Sequence, residues 1–288
     1  MKLVTFEAAG TERIGVAAGE GIIELSQASV PSDMVGLIAA WPKLEGEVRR
    51  YAANTKPHFA IAEVHLKAPV PRSSKILAIG LNYADHIKET GREKPARQVW
   101  FAKMSNAVNG PYDSIEIPRV SNDVDYEAEF VFVIGKKCRH VPKEKAHEVV
   151  FGYCAGNDVS VRDWQHASPQ WILGKSFDTH APFGPWIVTA DEIADPHTLG
   201  IRCLVNGATR QNSNTRELVF NIYDQIAHLS EAMTLEPGDV IFTGTPGGVG
   251  AAMKPPGFLK PGDIVRVEID KIGAIQSHVR SEGDSSIS

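Results

Sequence analysis

Two glutamates separated by a single residue, Glu127 and Glu129, are the residues in this chain best placed to do chemistry. They sit in Asp125-Tyr-Glu-Ala-Glu-Phe-Val-Phe-Val-Ile-Gly135, which is rich in aromatic and β-branched residues, ends on glycine and is expected to be a strand. Alternate side chains of a strand share a face. Glu127 and Glu129 therefore continue the line of Val131 and Val133, while Tyr126, Ala128, Phe130 and Phe132 point the other way. Two carboxylates taken out of water repel each other, and burial penalises each charge further. A cation bound between them relieves both costs, and an all-oxygen ligand set suits a hard divalent ion, Mg²⁺ or Mn²⁺. The alternative is an acidic strand edge in solvent.

Further polar groups follow the same logic. Lys75-Ile-Leu-Ala-Ile-Gly80 reads as a short strand running into Leu81-Asn-Tyr-Ala-Asp-His-Ile-Lys-Glu89. If residues 84–90 are helical, His86 and Glu89 share a face. A carboxylate beside an imidazole fixes its tautomer and raises its basicity, as general-base activation of water requires; a surface pair is the alternative. In Phe151-Gly-Tyr-Cys-Ala-Gly-Asn-Asp158 small residues allow close backbone approach, and Asp158 is the natural third oxygen ligand, or else a turn residue. Arg162 and Gln165 are suited to orient a substrate carboxylate. Gly174-Lys-Ser looks like the end of a phosphate-binding loop but lacks the glycine that opens one, so a nucleotide site is rejected. Lys175 can instead offer a positive charge to an anionic substrate or intermediate, or else is a solvent-exposed lysine. Thr243-Gly-Thr-Pro-Gly-Gly-Val-Gly250 is either a ligand-facing turn or a hairpin connection.

These residues need a scaffold. Residues 1–68 are expected to form a small N-terminal α/β domain, with short strands near residues 2–6, 13–17 and 21–25 and two short helices near 34–41 and 44–53. The prolines of Val64-His-Leu-Lys-Ala-Pro-Val-Pro71 favour an extended linker. Residues 69–288 then form the larger, β-rich domain. Residues 91–97 suggest a lid or a plain exposed loop, 142–150 a helix, and 174–186 a loop. Val219, Ile222, Tyr223, Ile226, Leu229 and Met233 fall at the spacing of an amphipathic helix. Turn-and-strand units open at Pro237 and Pro261, and residues 281–288 are expected to fray.

The 288 residues are 43% hydrophobic and 23% charged, as in an ordinary globular protein. A net charge of −5 without a basic stripe argues against nucleic acid and anionic membranes as partners. No apolar run approaches the roughly 18–20 residues that span a bilayer, and Met1-Lys-Leu-Val-Thr-Phe-Glu7 meets an acid too early for a signal-peptide core. Cys138, Cys154 and Cys203 lack metal-like spacing and read as reduced packing residues of a cytoplasmic protein, with a reactive Cys154 unsupported by its neighbours.

The motifs in their order, Gly80–Glu89, Asp125–Glu129, Asn157–Asp163, Gly174–Asp178 and Thr243–Pro246, resemble the fumarylacetoacetate hydrolase family over roughly residues 70–280. The resemblance implies an α+β, β-rich fold: a mixed β-sheet roll beside a smaller N-terminal domain, commonly as a homodimer. It implies Mg²⁺ or Mn²⁺ on Glu127, Glu129 and Asp158, a water-activating dyad of His86 and Glu89, and a substrate-contacting Lys175. Arg162, Gln165 and Thr245 match positions that contact substrate in the family. One departure is Asn82, where the larger hydrolase that names the family has an extra acidic ligand; this points to the shorter bacterial members. The activity implied is metal-dependent C–C cleavage of a 1,3-diketo acid such as an acylpyruvate. Hydroxyheptadienedioate isomerisation and oxaloacetate decarboxylation use the same enolate chemistry. A non-catalytic metal- and dicarboxylate-binding module is expected to lack His86, Glu89 or Lys175, and all three are present.

Overall fold

A computed structural model describes residues 1–26, 28–91 and 93–283. The longer strands and helices in chain order are β1 (Lys2–Ala8), β2 (Thr11–Ala18), β3 (Gly21–Glu24), α1 (Met34–Asn54), β4 (Ile76–Gly80), α2 (Ala84–Thr90), β5 (Val99–Ala102), β6 (Ala128–Ile134) and β7 (Val150–Asn157). They continue with α3 (Arg162–His166), β8 (Ala181–Thr189), β9 (Gly200–Val205), β10 (Ala208–Asn214), α4 (Ile222–Ala232), β11 (Val240–Phe242), β12 (Ile264–Ile269) and β13 (Gly273–Ser281). The fold is α+β and β-rich. A large mixed sheet runs β3-β2-β1-β8-β7-β6-β11-β4-β5 and a smaller one runs β10-β9-β12-β13. The pairing of β11 with β4 is parallel; that of β6 with both its neighbours is antiparallel.

The acid strand β6 lies inside the large sheet, buried along its whole length. Its alternation divides the core as the spacing predicts. Tyr126, Ala128, Phe130 and Phe132 join the cluster that contains Ile201, Cys203, Val265 and Val267 of the second sheet and Ile222, Ile226 and Leu229 of α4. Val131 and Val133 join the opposite cluster with Leu3, Val16, Ile76, Ala78 and residues Met34, Leu37, Ile38 and Val48 of α1. Both faces of the sheet are therefore covered, and carboxylates at its end have protein rather than water around them.

Several expected elements take another form. The segment 34–54 is one helix, not two: Asp33 caps it by accepting from Gly36 N–H at 2.8 Å, and Pro42 lies within it. The expected linker is bound to the sheet, because His65–Leu66 pairs with β1 and Thr5 donates its hydroxyl to Pro69 O at 2.6 Å. Residues 143–149 wind as a 3₁₀ helix. The proline- and glycine-rich stretch after Asp178 becomes β8, where Gly184 supplies a φ of 142°. The strand expected over 125–135 breaks at Tyr126–Glu127, with Val124–Asp125 pairing instead with Ser160–Val161. Residues 243–250 do not close a hairpin, since β11 and β12 belong to different sheets. Helix α4 forms as expected, capped by the Asn221 side chain on Tyr223 and Asp224 N–H. Arg92 of the expected lid and residues 284–288 of the expected frayed end lie outside the described residues, whereas Ser281 ends a strand.

Candidate metal centre and dyad

The register of β6 against β7 places Ala128 opposite Asn157. Glu127 and Asp158 follow just past that pair and are tied together: Asp158 N–H donates to Glu127 O at 2.9 Å, and Glu127 N–H to Asn157 Oδ1 at 2.9 Å. Glu129 faces Gly156 across the ladder, where a side chain would collide with Val131 and Phe242. The three acids converge, with one oxygen of each within 4.8 Å of the others, and are 5%, 1% and 0% exposed for Glu127, Glu129 and Asp158. A buried, all-carboxylate donor set of this size fits a hard divalent ion.

Cations already surround the cluster. Lys175 Nζ bridges Glu127 Oε2 and Asp158 Oδ2 at 2.6 Å each. Arg162 Nη2 lies 2.7 Å from Glu127 Oε1. Burial opposes ionisation of Glu127, yet Arg162 and Lys175 outweigh it and hold that carboxyl well below the usual range. Glu129 goes the other way: burial, then the charges of Asp158 and Glu127, push it well up, although Gly244 N–H donates to its Oε2 at 2.7 Å. Ionisation of Glu129 is therefore disfavoured, in contrast to that of Glu127.

Helix α2 follows β4 after residues 81–83 and carries His86 and Glu89, whose Nδ1 and Oε2 are 3.4 Å apart. Glu89 also accepts Gly248 N–H on both oxygens, at 2.9 and 3.0 Å, so the glycine-rich turn fixes it. Both residues line a cavity of about 290 Å³ together with Glu127, Glu129, Arg162, Gln165, Lys175 and Thr245. Its remaining wall is largely apolar, with Phe101, Trp171 and Val249 among it. Asp158 lies beneath, fully buried. All nine residues singled out from the sequence thus gather at one place.

Two of them also make structural bonds. Arg162 lines the cavity while its Nε and Nη2 donate to Asp125 Oδ2, and its Nη1 to Gln165 Oε1 at 2.9 Å. The Thr245 hydroxyl donates to Ala128 O and accepts from Gln211 Nε2, so it braces the acid strand. Asn82 donates to Phe220 O and Thr243 O, outside the acidic cluster. Cys154 is buried and its thiol is pushed up by that burial, which removes the reactive-thiol reading.

Sequence reasoning missed Asp125 and Lys103. Asp125 is fully buried and accepts from Gly250 and Ala251 N–H as well as from Arg162, linking the glycine-rich turn to the site. Its only sequence signal is adjacency to the acid pair. Lys103 donates to Asp158 Oδ1 at 2.6 Å and to Val159 O at 3.2 Å. A lone lysine after a strand gave no signal at all.

The model for the fumarylacetoacetate (FAA) hydrolase C-terminal family matches residues 75–280. The chain belongs to the fumarylacetoacetate hydrolase family. Among its family relatives, the mitochondrial oxaloacetate tautomerase Fahd2a of Rattus norvegicus is 43% identical, over 97% of this chain and 91% of that protein. Maleylpyruvate hydrolase from Sphingobium sp. SYK-6, solved in complex with manganese(II) and pyruvate, superposes with a TM-score of 0.83 at 35% identity, covering 98% of this chain and all of that one. The 5-carboxymethyl-2-hydroxymuconate delta-isomerase of Mycobacterium smegmatis gives a TM-score of 0.79 at 34% identity, covering 99% and 100%. Fumarylacetoacetate hydrolase family members thus include hydrolases, isomerases and tautomerases. Among the described residues no helix is long and apolar enough to cross a membrane.

Proposed function

We propose that this chain is a divalent-metal-dependent hydrolase that cleaves a C–C bond of a 1,3-diketo acid, an acylpyruvate or fumarylacetoacetate-like compound. The observation that carries this reading is the His86–Glu89 dyad opening into the same cavity as Glu127 and Glu129. Glu127, Glu129 and Asp158 would hold Mg²⁺ or Mn²⁺, and the ion would supply Lewis-acid stabilisation of negative charge on the keto-acid head. The complex of the structurally similar maleylpyruvate hydrolase with manganese(II) and pyruvate supports that assignment.

The residues then divide the work. His86, oriented by the Glu89 carboxylate, takes a proton from water beside the distal carbonyl. Lys175, poised over the cluster and 4.9 Å above the Phe101 ring, faces charge that develops on the head group. Among the described residues Arg162 occupies only the carbonyl oxygen of Gln165, which leaves its amide donors for substrate. Arg162 orients Glu127 and Gln165, and Thr245 steadies the strand between the two glutamates. The apolar wall excludes water from the remainder of the acyl chain.

A second reading is keto–enol proton transfer on a 2-oxo dicarboxylate such as oxaloacetate, or isomerisation of a hydroxyheptadienedioate. It is favoured by the 43% identical oxaloacetate tautomerase, and decarboxylation of oxaloacetate belongs with it. Turnover of acetylpyruvate, fumarylpyruvate, oxaloacetate and a hydroxymuconate-type dienoate, measured with and without EDTA, separates these readings. Chelator-sensitive cleavage of an acylpyruvate that drops roughly 10²–10⁴-fold in His86→Ala supports hydrolysis. Full acylpyruvate turnover by His86→Ala overturns it, and chelator-insensitive activity overturns the metal assignment.

We also propose a homodimer, supported by a groove on which Val120, Trp164 and Leu173 are exposed; light scattering reads its mass. The free cysteines support a cytoplasmic placement.

A further inference from the structure

Lys103 is 3% exposed, does not line the cavity, and spends its ammonium on Asp158 Oδ1 and Val159 O. It reaches the cluster from behind, from the residue that follows β5, whose N–H is bonded to Ile76 O at 2.9 Å. Asp158 consequently has one lysine on each oxygen: Lys103 on Oδ1 and Lys175 on Oδ2. Lys175 faces the cavity, where it can meet a substrate. Lys103 cannot, so a catalytic role is excluded for it.

What it can do is electrostatic. The connected buried cluster contains four carboxylates, Asp125, Glu127, Glu129 and Asp158, and three cations, Lys103, Arg162 and Lys175. Fully ionised, the cluster carries one net negative charge. A divalent ion converts that to one net positive charge, which a singly charged carboxylate head then neutralises. Without Lys103 the metal-loaded cluster is neutral before any substrate arrives. The same lysine therefore opposes the metal and favours the anion, because charges a few ångströms apart in a buried site are only weakly screened.

We propose that Lys103 is a positioning residue and counter-charge that sets the metal-loaded site to accept a monoanionic 2-oxo acid head, at the expense of metal affinity. The inference rests on the metal reading of the acidic triad given above. It separates from a purely structural role by sign: a structural lysine supports both ligands, whereas a counter-charge trades one against the other.

The test uses the full-length protein and measures binding, not turnover. Mn²⁺ affinity is read from the electron paramagnetic resonance signal of the free ion. Pyruvate affinity at saturating Mn²⁺ is read from water-proton relaxation. Lys103→Gln, which keeps an amide donor but removes the charge, is expected to bind Mn²⁺ roughly 10-fold more tightly and pyruvate roughly 10-fold more weakly. Lys103→Met should show the same signs, and Lys103→Arg should stay near wild type on both. Both affinities falling together, or neither changing, overturns the proposal. So does loss of soluble protein in both neutral variants, because the lysine then serves folding. A wild-type chain that binds no Mn²⁺ refutes the metal reading itself, which is a separate result.

Discussion

Ionisation of Glu129 is disfavoured in the folded chain, so an ion bound there would compete with a proton. Its folded-state value lies well above an ordinary carboxylate because burial and the neighbouring acids disfavour its charge. Below that raised value, metal entry releases about one proton, so apparent Mn²⁺ affinity should climb about tenfold per pH unit and then level off. A pH-independent affinity between pH 5 and the plateau would contradict the assignment of the proton. Lys175→Met should leave Glu127 and Asp158 without their shared partner, and roughly 10²–10³-fold of turnover should go with it, read as a fall in kcat larger than any rise in KM. At this scale the sequence was informative wherever a motif clustered its own residues. The acid pair, the dyad and Lys175 each had local company. Lys103 and Asp125 act through partners far along the chain, 55 residues on for Lys103 and Asp158 and 125 for Asp125 and Gly250, and no local spacing records such a contact.

The elements that aim these side chains meet at two close backbone approaches. A Cβ on Gly80, the last residue of β4, would lie 2.4 Å from the Trp171 ring, and Trp171 O accepts Lys175 N–H at 3.2 Å. Gly174 is pressed against the backbone of Gln165 in α3, where a Cβ would come within 2.3 Å. The segment 171–175 is thus clamped between a strand end and a helix. Gly80→Ala should force Trp171 aside, cost on the order of 1–3 kcal/mol and lower activity through Lys175. In a Trp171→Leu background the added methyl should cost much less, so a thermal-melt double-mutant cycle checks the coupling. A cycle that is simply additive would show the two residues to be independent. Strand periodicity disclosed β6 and its two faces well, because burial on both sides leaves a continuous apolar run. It failed for residues 181–186, the part of the expected 174–186 loop that lies in β8, where proline and glycine composition suggested a loop; a β8 residue at φ 142° needs glycine, and such a requirement looks like a turn in sequence.

At the scale of the whole molecule, the acidic end of the pH range should find His180. The ring is fully buried, donates through Nε2 to Glu116 O at 2.8 Å, and its Nδ1 finds no partner among the described residues. Burial pulls its pKa down from 6.5 to about 4. Because the folded value is the lower one, the unfolded chain takes up the proton first. Stability is intact above about pH 6.5 and is lost as pH falls towards 4, by at most roughly 3 kcal/mol. Urea midpoints followed from pH 7 to 4.5 should drop more steeply for the wild type than for His180→Gln, and parallel curves would remove His180 as the cause. The architecture itself was legible through the family motifs, but the relation of the first residues to the rest was not, since strand pairing between residues 2–3 and 187–188 has no sequence signature.

That pairing has a consequence for anyone trimming the protein. Strand β1 pairs with the end of β8, Lys2 against Val188 and Leu3 against Ile187, so the leading segment supplies the neighbour of an inner strand there rather than an appendage. A truncation beginning at residue 69 would strip that end of β8 of its neighbour and bare the amide and carbonyl groups near residues 187–188 beside an apolar face, a template for edge-to-edge association. Sedimentation of such a fragment should reveal polydisperse aggregates, while a small, folded, metal-binding particle would mean that the bared edge heals itself.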